Sequence, residues 1–317
     1  MQVLNSLVPI FAVIGLGILL RKREFLSGDA TQSFNRFAYY FALPLFLFYK
    51  LAGSNLGTGN ANRFMVTMLA ATLVTAVVSW LVTMLLGTKF SSRGALIQAS
   101  FRGNLAFMGL PLVMFTIYEL PDEQKIQIET AMLLAFAPVI IFYNVAAVAV
   151  LAIYNKESGA KFSWLSVLKN IVFNPLLIAC VAGLVVQLLG WKIPTAIERT
   201  CVVVGNSAFP LALLGIGSQL ASISVSGQWL DALIATSLKC VFCPVVGWLV
   251  GALLGLAGVD LQVVIILCAM PTAVSSYVLA DQMNGDADLA ASTVVIGTAC
   301  SMATLTLLLS LTSLMTH

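Results

Sequence analysis

From Val3 to Leu20 the chain carries no charged side chain, and apolar stretches of similar length keep returning, at about 33–51, 64–86, 93–118, 126–154, 168–189, 199–220, 229–256, 261–283 and 287–314. A helix rises about 1.5 Å per residue, so roughly 20 apolar residues cross the ~30 Å hydrocarbon core of a bilayer. Ten such stretches with short loops use up nearly all of the 317 residues. The expectation is an all-α integral membrane protein of ten transmembrane helices. Only 9% of the residues are charged, against about 25% in soluble domains, which leaves no water-facing catalytic module between the spans.

The 16 basic and 13 acidic residues give a net charge of +3, too slight and too dispersed to recruit nucleic acid. Six cysteines (Cys180, Cys201, Cys240, Cys243, Cys268, Cys300) all lie in apolar stretches, where a thiol packs as a small hydrophobe. Cys240 and Cys243 have C-x-x-C spacing, but without the second pair or exposed thiolate that metal and redox sites require. No metal site and no cofactor is read from the sequence. Intramembrane serine proteolysis needs a buried histidine beside its serine, and the one histidine is the terminal His317. No pair of mid-membrane aspartates is visible for the aspartyl counterpart, so no catalytic residue is assigned and the chain is not read as an enzyme.

The first apolar run precedes Arg21-Lys22-Arg23. A signal peptide has the reverse order, so this run reads as a retained span. Lysine and arginine accumulate on the cytoplasmic side. With the N-terminus outside, the inner ends hold Arg21, Lys22, Arg23, Arg36, Lys89, Arg93, Lys156, Lys161 and Lys169, and the outer ends Lys50, Arg63, Lys125, Lys192 and Arg199. The bias places both termini outside.

The chain also resembles itself. Pro9 and Pro44 are spaced as Pro175 and Pro210 are, and at that shift Gly17 falls on Gly183 and the stretch 42–47 on 208–213. At nearly the same shift 79–87 matches 247–255, Trp80 on Trp248. Paired prolines and a paired tryptophan at almost one offset indicate duplication, as a five-span repeat over 1–154, a short linker at 155–164 and a second repeat over 165–317. Because five is odd, the second copy enters the membrane from the other side. Inverted repeats of this kind typify secondary transporters with alternating access.

The fourth span of each repeat contains helix-breaking chemistry. In the first, Gln98-Ala99-Ser100-Phe101-Arg102-Gly103-Asn104 leads to Met108-Gly109-Leu110-Pro111; in the second, Met270-Pro271-Thr272-Ala273-Val274-Ser275-Ser276-Tyr277 holds the equivalent place. Glycine weakens a helix, and proline removes an N–H and clashes with the preceding turn. Unwound backbone at mid-membrane is tolerated only against protein or a water-filled cavity, where its freed amides and half-helix ends can hold a solute. Arg102 at mid-depth costs at least ~2.5 kcal/mol to insert, so it should face a cavity or a partner. Lys239, about ten residues into its span, is a second candidate charge for the substrate, with pairing or snorkelling as the alternative. Asp281 is read first as interfacial and second as a proton-coupling group.

Asn104-Leu-Ala-Phe-Met108-Gly109-Leu-Pro111-Leu112 resembles the N-x-x-x-M-G-x-P-L segment of the auxin efflux carrier family, and Met270-Pro271 with Tyr277-Val278-Leu279-Ala280 resembles that family's second crossover. The resemblance extends over the whole ten-span layout. It implies a sodium/proton-antiporter-like fold with broken, crossing helices 4 and 9, and a scaffold of helices 1, 2, 6 and 7. Helices 3–5 and 8–10 would form a moving transport unit, with substrate at the crossover and an elevator-type mechanism. It further implies a plasma-membrane protein, with a homodimer through helices 2 and 7, for which the sequence offers the small-residue face Gly205, Ala208, Ala212 and Gly215. The long hydrophilic central loop of plant auxin exporters is absent, which points to a compact bacterial, inner-membrane member. Arg102 stands where the plant proteins have an apolar residue, which points to a smaller and more highly charged anion such as malonate or a related dicarboxylate.

The substrate contacts expected on these grounds are Arg102, Gly103, Asn104, Gly109 and Pro111 from the first crossover, Pro271, Thr272, Ser275 and Ser276 from the second, and Lys239. Two other readings stay open: a sodium-coupled carrier of a larger organic anion, like the bile acid symporters of the same superfamily, and an anion channel. Coupling is expected either through the membrane potential alone, through a cation held by backbone carbonyls, or through Asp281 as proton carrier.

Overall fold

The architecture is that of a computed structural model, and it describes residues 2–54, 60–154, 169, 172–223 and 228–315. The expected linker at 155–164, with Lys156 and Lys161, lies outside the described residues, as does His317. Among the described residues twelve helices have defined bounds: α1 (Gln2–Lys22), α2 (Gly28–Phe37, continued by Ala38–Ala42 and Leu43–Ala52), α3 (Ala61–Leu85), α4 (Phe90–Phe101), α5 (Leu105–Thr116), α6 (Asp122–Tyr154), α7 (Pro175–Leu188), α8 (Thr195–Leu220), α9 (Trp229–Leu253), α10 (Gly258–Cys268), α11 (Ser275–Gln282) and α12 (Ala287–Met315). Six of them are long and apolar enough to cross a membrane, and α5, α7 and α10 are shorter apolar helices.

The packing is that of a protein whose solvent is oil. On α3 the buried positions include Thr67, Thr72, Thr75, Ser79 and Thr83, whereas Leu73, Val77, Leu81 and Leu85 are exposed. Thr72 and Thr75 each donate to the carbonyl four residues back. Such inward-facing small polar residues let helix backbones approach where lipid offers no hydrophobic drive for association. All six cysteines are free, five of them buried.

Helix α1 packs along the second part of α8, and α2 packs on α7 and α8. Close approach of α1 and α8 depends on facing glycines: a Cβ on Gly17 would run into the Leu214 carbonyl, and one on Gly217 into that of Ile14. The small-residue face of α8 is also used inside the chain, since a Cβ on Gly205 would lie 3.0 Å from the Phe46 backbone, and Ala208 and Ala212 are buried. Helix α3 packs on α4, α6 and α9, while α12 covers α9 and α11.

Prolines shape the helices in two ways. Leu43-Pro44, Leu110-Pro111 and Cys243-Pro244 each follow a π-helical turn, at Ala38–Ala42, Leu105–Gly109 and Leu238–Phe242. A proline has no N–H and crowds the preceding turn, and a wider turn relieves the crowding while keeping neighbouring amides bonded. Pro138, by contrast, sits inside the continuous α6. In the sixth apolar stretch, expected from 168, a helix starts at Pro175, where the Asn174 side chain accepts from the amides of Leu176 and Leu177 and caps it.

Candidate functional site

Two helices stop inside the molecule. α4 ends at Phe101 and α5 begins at Leu105; α10 ends at Cys268 and α11 begins at Ser275. The unwound pieces satisfy each other. Gly103 and Thr272 form an antiparallel bridge, the Asn104 amide donates to the Pro271 carbonyl at 2.8 Å, and the Ala273 amide donates to the Arg102 carbonyl at 3.0 Å. The Thr272 hydroxyl donates to Ala99 O at 2.7 Å, and Gln98 Nε2 to Ser276 O at 2.9 Å. Each contact joins one broken helix to the other, so backbone groups that lipid could not satisfy are paired across the crossover.

Arg102 leaves the end of α4 with its guanidinium held from two sides. Nη1 donates to Ser275 O at 3.2 Å, and Nη2 to Asn144 Oδ1 on α6 at 2.8 Å. Two of the five N–H donors of the fork are thus taken by neutral acceptors. The side chain lines a cavity of about 200 Å³ together with Tyr39, Gly103, Asn104, Tyr143, Asn144, Ala273 and Ser275. A second cavity, of about 360 Å³, shares Tyr39, Asn104, Ala273 and Ser275 and adds Gln32, Asn35, Arg36 and Gln219. A third, of about 280 Å³, continues past Gln32, Gln219 and Tyr277 to Arg21. The series runs from the crossover to the end of the molecule where α1 finishes and α2 starts. There Arg21 Nε donates to Ser222 Oγ at 3.0 Å.

At the other end an ion pair joins two helices. Lys50 Nζ of α2 meets Glu129 Oε2 of α6 at 2.6 Å, and the same ammonium lies 5.8 Å from the ring centres of both Phe46 and Tyr49. Among the described residues the ion pairs are this one and Lys125–Asp122. Neither Arg102 nor Lys239 is in one, although Arg102 is 9% exposed and Lys239 fully buried.

The expected site residues fall into three groups. Arg102, Gly103, Asn104 and Ser275 line the cavity. Pro271, Thr272 and Ser276 are buried in the crossover itself, and Gly109 and Pro111 are buried in α5, where a Cβ on Gly109 would press on the Met270 and Leu267 side chains. Lys239 lies behind the crossover, its ammonium donating to Cys268 O. Asp281 is exposed near the end of α11 and does not line these cavities. Sequence reasoning did not single out Asn144, Tyr39 or Tyr143. For Asn144 a signal existed, since an amide far inside an apolar stretch needs a partner, but Tyr39 and Tyr143 look like ordinary span residues.

Comparison with known proteins agrees with this geometry. A family model described as "Membrane transport protein" matches residues 2–309. A protein of Rhizobium meliloti named "Putative malonate transporter" is 24% identical, with 98% of this chain and 96% of the relative aligned. An Escherichia coli K12 protein named "Uncharacterized transporter YfdV" is 28% identical over 91% of this chain and 92% of its own. An "Uncharacterized transporter" of Methanothermobacter thermautotrophicus is 22% identical over 96% of both. With crossover motifs like those of auxin efflux carriers and a family match over nearly its whole length, the chain is an integral membrane protein that belongs to the membrane transport protein family, the family of the auxin efflux carriers.

Proposed function

We propose that the protein is a secondary transporter of a small dicarboxylate of the malonate class, bound at the crossover by Arg102 and moved by alternating access. The observation that carries this reading is the Arg102 fork, held by Ser275 O and Asn144 Oδ1 at the wall of a cavity, with no carboxylate among the described residues paired to it. An uncompensated cation in a low-dielectric site attracts a carboxylate strongly, and a planar fork can engage both of its oxygens. Lys239, behind the crossover, is a second buried cation outside the ion pairs of the described residues, so the region as a whole is positive. The malonate name of the Rhizobium relative points the same way.

In this reading the chain is a ten-span inverted repeat in an inner membrane with both termini outside. α1, α2, α7 and α8 form the fixed scaffold, and the remaining helices move as an elevator. The pairing of α1 with α8 and of α2 with α7 and α8 supports that division. The cavities then open to the cytoplasm past Arg36 and Arg21, basic residues that draw an anion toward the path, while Lys50–Glu129 closes the outer end between scaffold and moving unit.

The test is uptake of radiolabelled malonate into proteoliposomes. A carrier gives saturable flux that malonate preloaded inside the vesicles accelerates. Flux that rises linearly with concentration and ignores the inner pool identifies a channel, and no flux for any dicarboxylate refutes the substrate class.

A further inference from the structure

Lys239 is a long cationic side chain with no accessible surface. It sits on the π-helical turn Leu238–Phe242 of α9, far from either helix end, so its ammonium does not reach the membrane surface. It is absent from the walls of the Arg102 cavity. Instead it passes behind the crossover, where a Cβ built on Gly103 would lie 2.9 Å from Lys239 Cε and 3.2 Å from Nζ, with Met270 O 3.4 Å from the same point. Its hydrogen bonds run to Cys268 O and, at 3.7 Å, to Cys243 Sγ. Cys268 is the last residue of α10.

That position has a physical meaning. The last carbonyls of a helix lack intrahelical partners and carry the negative end of its dipole. In carriers built on broken helices, such carbonyl ends are where a mobile coupling cation is held. Here an ammonium on a tether fills the place, wedged against the one residue of the bridge that has no side chain. We propose that Lys239 is a built-in cation standing in for a mobile one at the end of α10, so that the carrier binds and moves its anion without sodium or any other inorganic coupling cation. The anion part of this statement rests on the function proposed above; the cation part does not.

The experiment therefore reads cation binding directly, as thermal stability of the purified full-length protein in chloride salts of sodium, potassium, methylammonium and the bulky N-methylglucammonium. Wild type should melt at one temperature in all four. Lys239→Ala should melt lower in N-methylglucammonium and recover in at least one small cation, because the carbonyl end is then open. Lys239→Met, which keeps the volume and loses the charge, should also be destabilised but recover less, since its side chain still blocks the place; it serves where the alanine variant does not fold. Stabilisation of the wild type by sodium overturns the proposal, and so does a folded Lys239→Ala protein that responds to none of the cations. A second arm measures malonate binding: wild-type affinity should stay within twofold when sodium is replaced by N-methylglucammonium, and a drop of tenfold or more contradicts the proposal. If malonate fails to bind at all, the substrate reading fails while the stability arm still decides the cation site.

Discussion

Replacing Gly103 by alanine tests the crossover as a packed unit. The new methyl carbon would sit 2.9 Å from Lys239 Cε, 3.2 Å from Nζ and 3.4 Å from Met270 O, closer than ordinary van der Waals contact to the first two. No left-handed backbone conformation holds Gly103, so alanine brings no conformational strain and the whole effect comes from the lysine. The lysine end must move by several tenths of an ångström, and its bond to Cys268 O is what resists. A hydrogen bond to a charged group is worth about 1.5–3 kcal/mol, and overpacking a tight core costs about 1–3 kcal/mol. Because moving the ammonium relieves part of the overlap, the two do not add fully, and a loss of about 2–4 kcal/mol is expected. Equilibrium unfolding in mixed micelles measures it for wild type, Gly103→Ala, Lys239→Ala and the double variant. In the Lys239→Ala background the methyl group has room, and its cost should fall below about 1 kcal/mol. Independent sites add to within about 0.5 kcal/mol. An equal cost of Gly103→Ala in both backgrounds would refute the placement of Lys239 against Gly103.

Asn144→Ala removes one of the two acceptors that aim the Arg102 fork; malonate affinity should fall roughly tenfold or more, the equivalent of about 1.5–3 kcal/mol, while Asn144→Gln should recover part of it in the same titration. Glu129→Gln weakens the tie to Lys50 and should raise the labelling rate of a cysteine placed beside that pair on α2 or α6; an unchanged rate means the pair is not a gate. Asp281→Asn should leave malonate uptake at the wild-type rate with or without a pH gradient, because the carboxylate is exposed and outside the cavity series; a loss confined to uptake under a pH gradient would assign proton coupling to it.

How far each feature could be read from the sequence depends on what its signal was made of. Arg102, Gly103 and Pro271 announced the breaks because a charge, a flexible residue and a missing amide at mid-span are each costly in lipid. Their pairing across the crossover was not legible, since a backbone bridge between residues so far apart leaves no trace in composition. The depth of Lys239 was readable and its direction was not: it sits on a π-helical turn, which shifts the helical phase. Proline alone did not foretell a break either, as Pro138 passes through an unbroken α6. Asn144 escaped notice because it is neutral and its partner comes from another helix. The small residues of α8 suggested a contact between subunits, yet they pack on α1 and α2 within the chain, because a small-residue face reads the same whichever helix it meets.

The central claim is that Arg102 holds the substrate's carboxylate, and the most direct measurement is malonate binding to purified wild type, Arg102→Lys and Arg102→Ala, with thermal stability recorded on the same samples. The account predicts that Arg102→Lys, which keeps the charge and loses the fork, binds at least tenfold more weakly, and that Arg102→Ala shows no saturable binding while remaining folded. Malonate binding by Arg102→Ala with wild-type affinity would contradict it and make Arg102 a structural residue that braces Ser275 and Asn144.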